Sequence, residues 1–273
     1  MYYDLHIHTT DSDGALSSVD LLKKANDKGL EYLCITDHDY ISNKNIEKEY
    51  EKLIGEKTKT KLLTGIEFTI DERKSMHILG YRIKNLKIVR ELLLKQQYEN
   101  LMICKRLLEH LKKDYQFDID LEKYKDCKMS KGLIRRMLVE GGYSSSLDEA
   151  GDLYTGKKSK YYEKTRALNI EEVFNIIKKS GGISVLAHPS TLKLSDEDLD
   201  KEILFLKEFG LEGIEVLNLS KTTKRQAEYF ESLAKKYDLL TSCGSDFHSD
   251  LSTPCFGVNN EKSKTLIKKI LEG

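Results

Sequence analysis

Near its amino terminus the chain reads Asp4-Leu5-His6-Ile7-His8-Thr9-Thr10-Asp11-Ser12-Asp13-Gly14, placing two of its seven histidines one residue apart with carboxylates close behind. In an extended strand that spacing puts His6 and His8 on one face and Leu5 and Ile7 on the other. Two imidazoles on one face suit a metal ion. Four more histidines stand in comparable settings: His38 in Thr36-Asp37-His38-Asp39, His77 ahead of Ile78-Leu79-Gly80-Tyr81, His188 in Ala187-His188-Pro189, and His248 in Ser245-Asp246-Phe247-His248. A single histidine at a strand end is usually structural, but six interleaved with Asp13, Glu67 and Asp246 call for a common cause. Only His110, in a helical stretch, stands apart as a surface or core residue. Imidazole and carboxylate without thiolate fit Zn²⁺, Mn²⁺ or Fe²⁺. Nine such groups exceed the needs of one ion. At three to five ligands each, two or three ions are required, and ions about 3.5 to 4 Å apart form the clamp used in phosphate-ester hydrolysis.

The elements that must position these residues are legible as short apolar or β-branched runs at residues 3–7, 32–36, 61–65, 76–81, 183–187, 213–217 and 239–243. Amphipathic stretches lie between them. One is Ser17-Ser18-Val19-Asp20 with Leu21, Leu22, Ala25 and a Gly29 stop; another is Asn169-Ile170-Glu171-Glu172 leading to Ser180-Gly181-Gly182. The alternation predicts strands joined by helices in a barrel or open sheet. The candidate ligands fall at or just past strand ends, and in parallel α/β folds the carboxyl ends of strands are where loops converge on a site. Gly14 is expected to permit the turn that delivers Asp13.

The middle of the chain breaks this rhythm. From about residue 87 to 115, Ile88, Leu92, Leu93, Leu101, Leu107 and Leu111 recur at helical spacing and predict one or two long helices. Short helices at 132–139 and 146–154 and a basic turn, Thr155-Gly156-Lys157-Lys158-Ser159-Lys160, fill the stretch to 166. We read residues 88–166 as a helical insertion between barrel segments 1–87 and 167–273. The insertion holds 17 Lys and Arg against 13 Asp and Glu, where an anionic ligand could use the excess. A solvated helical surface accounts for the same charge.

A 273-residue chain that is 39% hydrophobic can fill a sizeable core. Lys plus Arg and Asp plus Glu balance at 45 each, so the overall charge points to neither a nucleic-acid coat nor a membrane-surface binder. No apolar run nears the roughly 20 residues of a membrane helix, and no signal-peptide pattern opens the chain, which predicts a cytoplasmic protein. The five cysteines, Cys34, Cys104, Cys127, Cys243 and Cys255, form no C-x-x-C pair and are expected to be reduced thiols.

The segments His6-x-His8, Ser12-Asp13-Gly14, Thr36-Asp37-His38, Gly65-Ile66-Glu67, His77, Ala187-His188-Pro189, Gly213-Ile214-Glu215-Val216 and Gly244-Ser245-Asp246-Phe247-His248 together resemble the PHP (polymerase and histidinol phosphatase) family. The resemblance spans the chain and implies an α/β fold, a distorted (β/α)7 barrel with an inserted helical cap. It implies one metal held by His6, His8, Glu67 and Asp246, a second shared through Glu67 with His77 and His188, and a third held by Asp13, His38 and His248. Asp13 and His38 are thereby expected to be essential for catalysis. The insertion is similar to the cap of the family's stand-alone nucleotide phosphoesterases. Arg136 and Lys157 match that cap's motifs, whereas its Arg-Pro-His element is here Lys131-Gly132-Leu133, losing a planar fork and an imidazole. Lys131, Arg136 and Lys157 are the expected substrate contacts.

The implied activity is hydrolysis of a phosphate monoester by metal-activated water, on a small phosphorylated substrate: a 5′-nucleotide or a 3′,5′-bisphosphonucleoside. A 5′→3′ exonuclease on short RNA and a histidinol phosphatase are the alternatives within the family. A non-catalytic, metal-stabilised binding module is the alternative outside enzymology.

Overall fold

Each of the seven apolar runs forms a strand in the computed structural model, which describes residues 1–42, 45–70, 76–124, 129–166, 168–249 and 255–272. They are β1 (Tyr2–Ile7), β2 (Tyr32–Ile35), β3 (Lys61–Thr69), β4 (His77–Tyr81), β5 (Ile183–Leu186), β6 (Gly213–Asn218) and β7 (Leu240–Gly244). A short eighth strand, β8 (Val258–Asn259), pairs antiparallel with the start of β1 and was not expected from the sequence. The sheet order is β7-β6-β5-β4-β3-β2-β1-β8. Beyond the end of β7, Asp246 N donates to His6 O at 2.8 Å and His8 N to Phe247 O at 3.0 Å. These bonds bring β1 to β7 and nearly close the barrel.

The pairing departs from a uniformly parallel barrel at one strand. β1–β2–β3 and β5–β6–β7 are parallel, whereas β4 is antiparallel to both β3 and β5. β3 runs on to Thr69, four residues past the expected end, so Glu67 lies within the strand opposite Leu79. Reversal of β4 sets its first residue, His77, beside Thr69, at the carboxyl end of β3.

Helices α1 (Ser18–Asp27) and α2 (Ile46–Ile54) cover the first strands. The Ser17 side chain accepts from Asp20 N and starts α1, and the helix buries Leu21, Leu22 and Ala25. These residues form one cluster with Ile7, Leu33 and Phe247. Each of the Leu, Ile and Phe side chains among them contributes roughly 1.5 to 3 kcal/mol when fully buried. Because Ile7 is committed to that cluster, the period of two turns His6 and His8 to the opposite face.

Two compact units make up the chain, residues 1–91 with 168–273, and residues 92–167. Between β4 and β5 lie α3 (Leu86–Tyr115), a single helix where one or two were expected, α4 (Lys131–Glu140), α5 (Leu147–Ala150) and α6 (Ile170–Lys179). The second unit has its own core, in which Leu107, Leu111, Phe117, Ile134, Met137 and Leu138 come together. After β5 come α7 (Asp196–Phe209), α8 (Lys224–Lys236) and α9 (Lys264–Leu271). Among the described residues no helix is long and apolar enough to cross a membrane. Cys34, Cys104 and Cys243 are buried free thiols and Cys255 an exposed one, while Cys127 lies outside the described residues.

Candidate metal centre

Six histidines and three carboxylates meet at one rim of the barrel. His6 is in β1 and His8 just after it, His38 follows β2, Glu67 is in β3 and His77 opens β4; His188 follows β5, and Asp246 and His248 follow β7. Asp13 comes from the loop after β1. In that loop Gly14 serves by its size rather than by an unusual turn, since a Cβ there would lie 2.4 Å from the His8 carbonyl oxygen. His6, His8, Glu67, His188 and Asp246 are buried, whereas the side chains of Asp13 and His38 are 53% and 26% exposed. The open side of the cluster is therefore the side of Asp13 and His38.

Glu67 is the hub. Its Oε1 lies 2.8 Å from His77 Nδ1 and 2.9 Å from His188 Nε2. Its Oε2 lies 3.2 Å from His6 Nε2, 3.2 Å from His8 Nε2 and 3.3 Å from His38 Nδ1. Those three ring nitrogens and Glu67 Oε2 are buried, yet none of them makes a hydrogen bond. Asp246 Oδ1 stands 3.2 Å from His8 Nε2 and 3.6 Å from His6 Nε2. Asp13 Oδ2 is 3.4 Å from His248 Nε2 and 3.9 Å from His38 Nε2.

Buried polar atoms are ordinarily hydrogen-bonded, so nitrogens and a carboxylate oxygen that converge without bonding are arranged for something between them. A divalent cation fits: the donors are imidazole and carboxylate, and they fall into four overlapping groups with ligand atoms within 4.8 Å of one another. The groups are His8 with Asp13, His38 and His248; His6 with His8 and Glu67; His6 with His188 and Asp246; and His38 with Glu67 and His77.

The electrostatics agree. Burial opposes the charged form of His6, but Glu215, Glu67 and Asp246 overcome it and hold the imidazole well above its ordinary value. His8 is raised to about 9 in the same way, by Asp246 and Glu67 against burial. Burial dominates at His38, which falls to about 4. Burial would raise Glu67, yet His6, His38 and His188 hold it well below the usual carboxylate range. Asp246 and Asp13 are lowered likewise, against burial, by neighbouring histidines. Without a cation, protons on imidazole must supply the positive charge among these carboxylates. A metal replaces them, because only neutral imidazole can ligate.

Behind this set stand three buried carboxylates, Asp4, Asp37 and Glu215, that support it. Asp4 is fully buried and accepts the backbone N–H groups of His6 (3.3 Å), Ser245 (2.9 Å) and Gly257 (2.9 Å). Asp37 accepts from Thr9 N and Thr9 Oγ1, both at 2.7 Å, and from Ser12 Oγ at 2.5 Å, ordering the loop between His8 and Asp13. Glu215 bonds His6 Nδ1 at 3.0 Å and accepts from His188 N at 2.6 Å. His188 has φ 25° and Asp246 φ 56°, conformations that non-glycine residues adopt only when their surroundings impose them.

Of the expected substrate contacts, all three lie in the second unit. Lys131 Nζ donates to the Glu163 carbonyl and sits over the Tyr162 ring at 4.6 Å. Arg136 pairs with Glu140 at 3.3 Å and lies 5.7 Å from the Tyr124 ring centre. Lys157 is exposed on the basic turn. His110, in the same unit, is exposed and stacks on Tyr161 at 5.3 Å.

Comparison with known proteins accords with this centre. A model of the PHP domain matches residues 4–188. The chain belongs to the PHP domain family. Among PHP relatives, a 5′-3′ exoribonuclease of Haemophilus influenzae is 28% identical over 282 residues, covering 98% of this chain and 96% of the relative. A 3′,5′-nucleoside bisphosphate phosphatase of Chromobacterium violaceum is 25% identical, covering 90% and 87%. The solved structure of a Bifidobacterium adolescentis protein assigned as a metal-dependent phosphoesterase superposes with a TM-score of 0.75 at 28% identity, covering 98% of this chain and 95% of that one. This PHP protein is a metal-dependent phosphoesterase, an enzyme rather than a binding module.

Proposed function

We propose that the nine converging residues hold two or three divalent ions, of Mn²⁺, Zn²⁺ or Fe²⁺ type, and that the enzyme hydrolyses phosphoesters of nucleotides. The convergence of His6, His8 and His38 on Glu67 Oε2 within 3.3 Å, without hydrogen bonds, carries this reading. In it His6, His8, Glu67 and Asp246 hold one ion, Glu67, His77 and His188 a second, and Asp13, His38 and His248 a third. When bound, such ions supply an activated water and neutralise phosphoryl oxygens. The chain's own part is to hold them: Glu67 gives one oxygen to each side of the cluster, and Glu215, Asp4 and Asp37 fix the backbones that carry the ligands. Asp13 and His38, on the exposed side, meet the substrate's reacting phosphate. Arg136 and Lys157 serve as cationic contacts for a substrate phosphate, on the strength of their match to the family's cap motifs. Lys131 is proposed with them, although its ammonium is already engaged by the Glu163 carbonyl.

The relatives' names favour the 5′ end of a short RNA as substrate, with a 3′,5′-bisphosphonucleoside as the second reading. A cytoplasmic setting, where buried Cys34 and Cys243 stay reduced, belongs to the same proposal. The deciding experiment incubates Mn²⁺-loaded protein with a 5′-phosphorylated hexaribonucleotide, a 3′,5′-bisphosphonucleoside, a 5′-mononucleotide and histidinol phosphate. Stepwise release of mononucleotides from the RNA is expected. Inorganic phosphate from the small substrates, with the RNA intact, assigns the phosphatase instead. Turnover of none of them overturns both.

A further inference from the structure

The turn after β6 delivers a cation to the rim of the cluster. Lys221 Nζ is ion-paired with Asp246 Oδ2, and the lysine side chain is 36% exposed while Asp246 is 1% exposed. One end of the side chain thus lies on a buried carboxylate of the cluster while the rest remains open to solvent.

The turn is built to hold it there. Asn218, fully buried, accepts from Lys221 N at 3.2 Å and Thr222 N at 2.9 Å through its carbonyl. Its Oδ1 accepts from Ser220 N at 3.2 Å and Ser220 Oγ at 2.8 Å. Its Nδ2 donates to Glu215 Oε2 at 3.2 Å. Glu215 is the carboxylate that also binds His6 and the His188 amide. Lys221 is therefore mounted on the same buried scaffold as two proposed ligands, which is how a positioned charge is kept within reach of one point.

Compensating Asp246 does not by itself call for a lysine. Asp246 Oδ1 already faces His8 at 3.2 Å and His6 at 3.6 Å, where the proposed ion would lie. An ammonium has three donors, and one carboxylate oxygen occupies one of them. Lys221 makes no other side-chain polar contact among the described residues, so its remaining donors are available to an anion approaching the cluster.

We propose that Lys221 is a further substrate-contacting residue, its ammonium taking a phosphoryl oxygen of the ester beside the metal ions. This rests on the metal-dependent phosphoesterase reading given above. Lysine acts here as a compact point charge, so arginine is a partial substitute.

The test compares wild type, Lys221→Met and Lys221→Arg, each loaded with Mn²⁺, by Mn²⁺ per chain, by calorimetric titration with inorganic phosphate, and by kinetics on the substrate panel. Lys221→Met should keep the wild-type metal content and bind phosphate about 10- to 100-fold more weakly, with partial recovery in Lys221→Arg. A phosphate affinity within twofold of wild type overturns the assignment. So does a loss of Mn²⁺ that accompanies the loss of phosphate binding, since Lys221 would then support the metals alone. Loaded wild type that binds no phosphate also overturns it. If wild type binds phosphate, hydrolyses none of the esters, and Lys221→Met loses the binding, the activity reading fails and the Lys221 assignment stands.

Discussion

Glu215 accepts the backbone N–H of His188 at 2.6 Å while His188 stands at φ 25°, directly before Pro189. A residue before proline favours extended backbone, so this conformation is imposed rather than preferred. The same carboxylate holds His6 through Nδ1 at 3.0 Å, so one buried side chain aims two imidazoles. Carboxylates that orient ligating histidines are commonly worth 10- to 100-fold in metal affinity. Glu215→Gln should therefore remain folded and bind Mn²⁺ about 10- to 100-fold more weakly. Titration calorimetry checks this, and unchanged affinity would mean that Glu215 only fills space.

Asp13 and His38 are the more exposed members of the cluster and carry little of the fold. Asp13→Asn and His38→Ala should leave the melting temperature within about 3 °C of wild type, as substitutions away from the core do. Each should lose about one ion per chain and at least about 100-fold in turnover. Undiminished turnover in both variants refutes a role for this side of the cluster.

Metal and protons compete for the same ring nitrogens. His8 is raised from its ordinary 6.5 to about 9, so in chelator-treated protein its protonated form stabilises the fold fully below pH 6.5. That contribution is lost as pH rises through 9. Manganese-loaded protein does not depend on it. The melting-temperature gap between loaded and chelated protein should widen from pH 6 to pH 9, reaching roughly 5 to 10 °C at a metal concentration about 100 times the dissociation constant. A gap that narrows over this range would show that the imidazoles are not the ligands.

Asp4 gathers three backbone N–H groups from three separate segments. Asp4→Ala leaves three donors without their acceptor, two of them buried, and each buried one costs about 1 to 3 kcal/mol before relaxation. A fall in melting temperature of roughly 5 °C or more is expected in thermal denaturation. A smaller fall would show that water takes over these donors.

Much of the site was legible because its signal is local. The period of two that pairs His6 with His8 needs no knowledge of the rest of the chain, and the seven strands announced themselves as apolar runs. Strand direction is different, since Ile78-Leu79-Gly80-Tyr81 has the same pattern whichever way it lies. One usable clue existed: parallel neighbours require a crossover of a dozen or more residues, and the stretch between Glu67 and His77 is too short for one. The buried carboxylates were harder. Asp4 shares the parity of His6 and His8, and Glu215 interrupts an apolar strand, which are weak signs of an inward role. Nothing in the sequence says that either serves backbone amides, because those amides arrive from residues 188, 245 and 257.

The bonds by which Asp246 and His8 join β1 to β7 also bear on how the protein is made. A ribosome makes His6 long before His248, because the whole stretch between them must be translated first. Until then the first strand has no partner on its far side, and no nascent fragment carries a complete ligand set. A complete set of candidate ligands thus waits for the synthesis of His248: a product truncated before it presents an open sheet edge, prone to aggregate, and lacks part of that set.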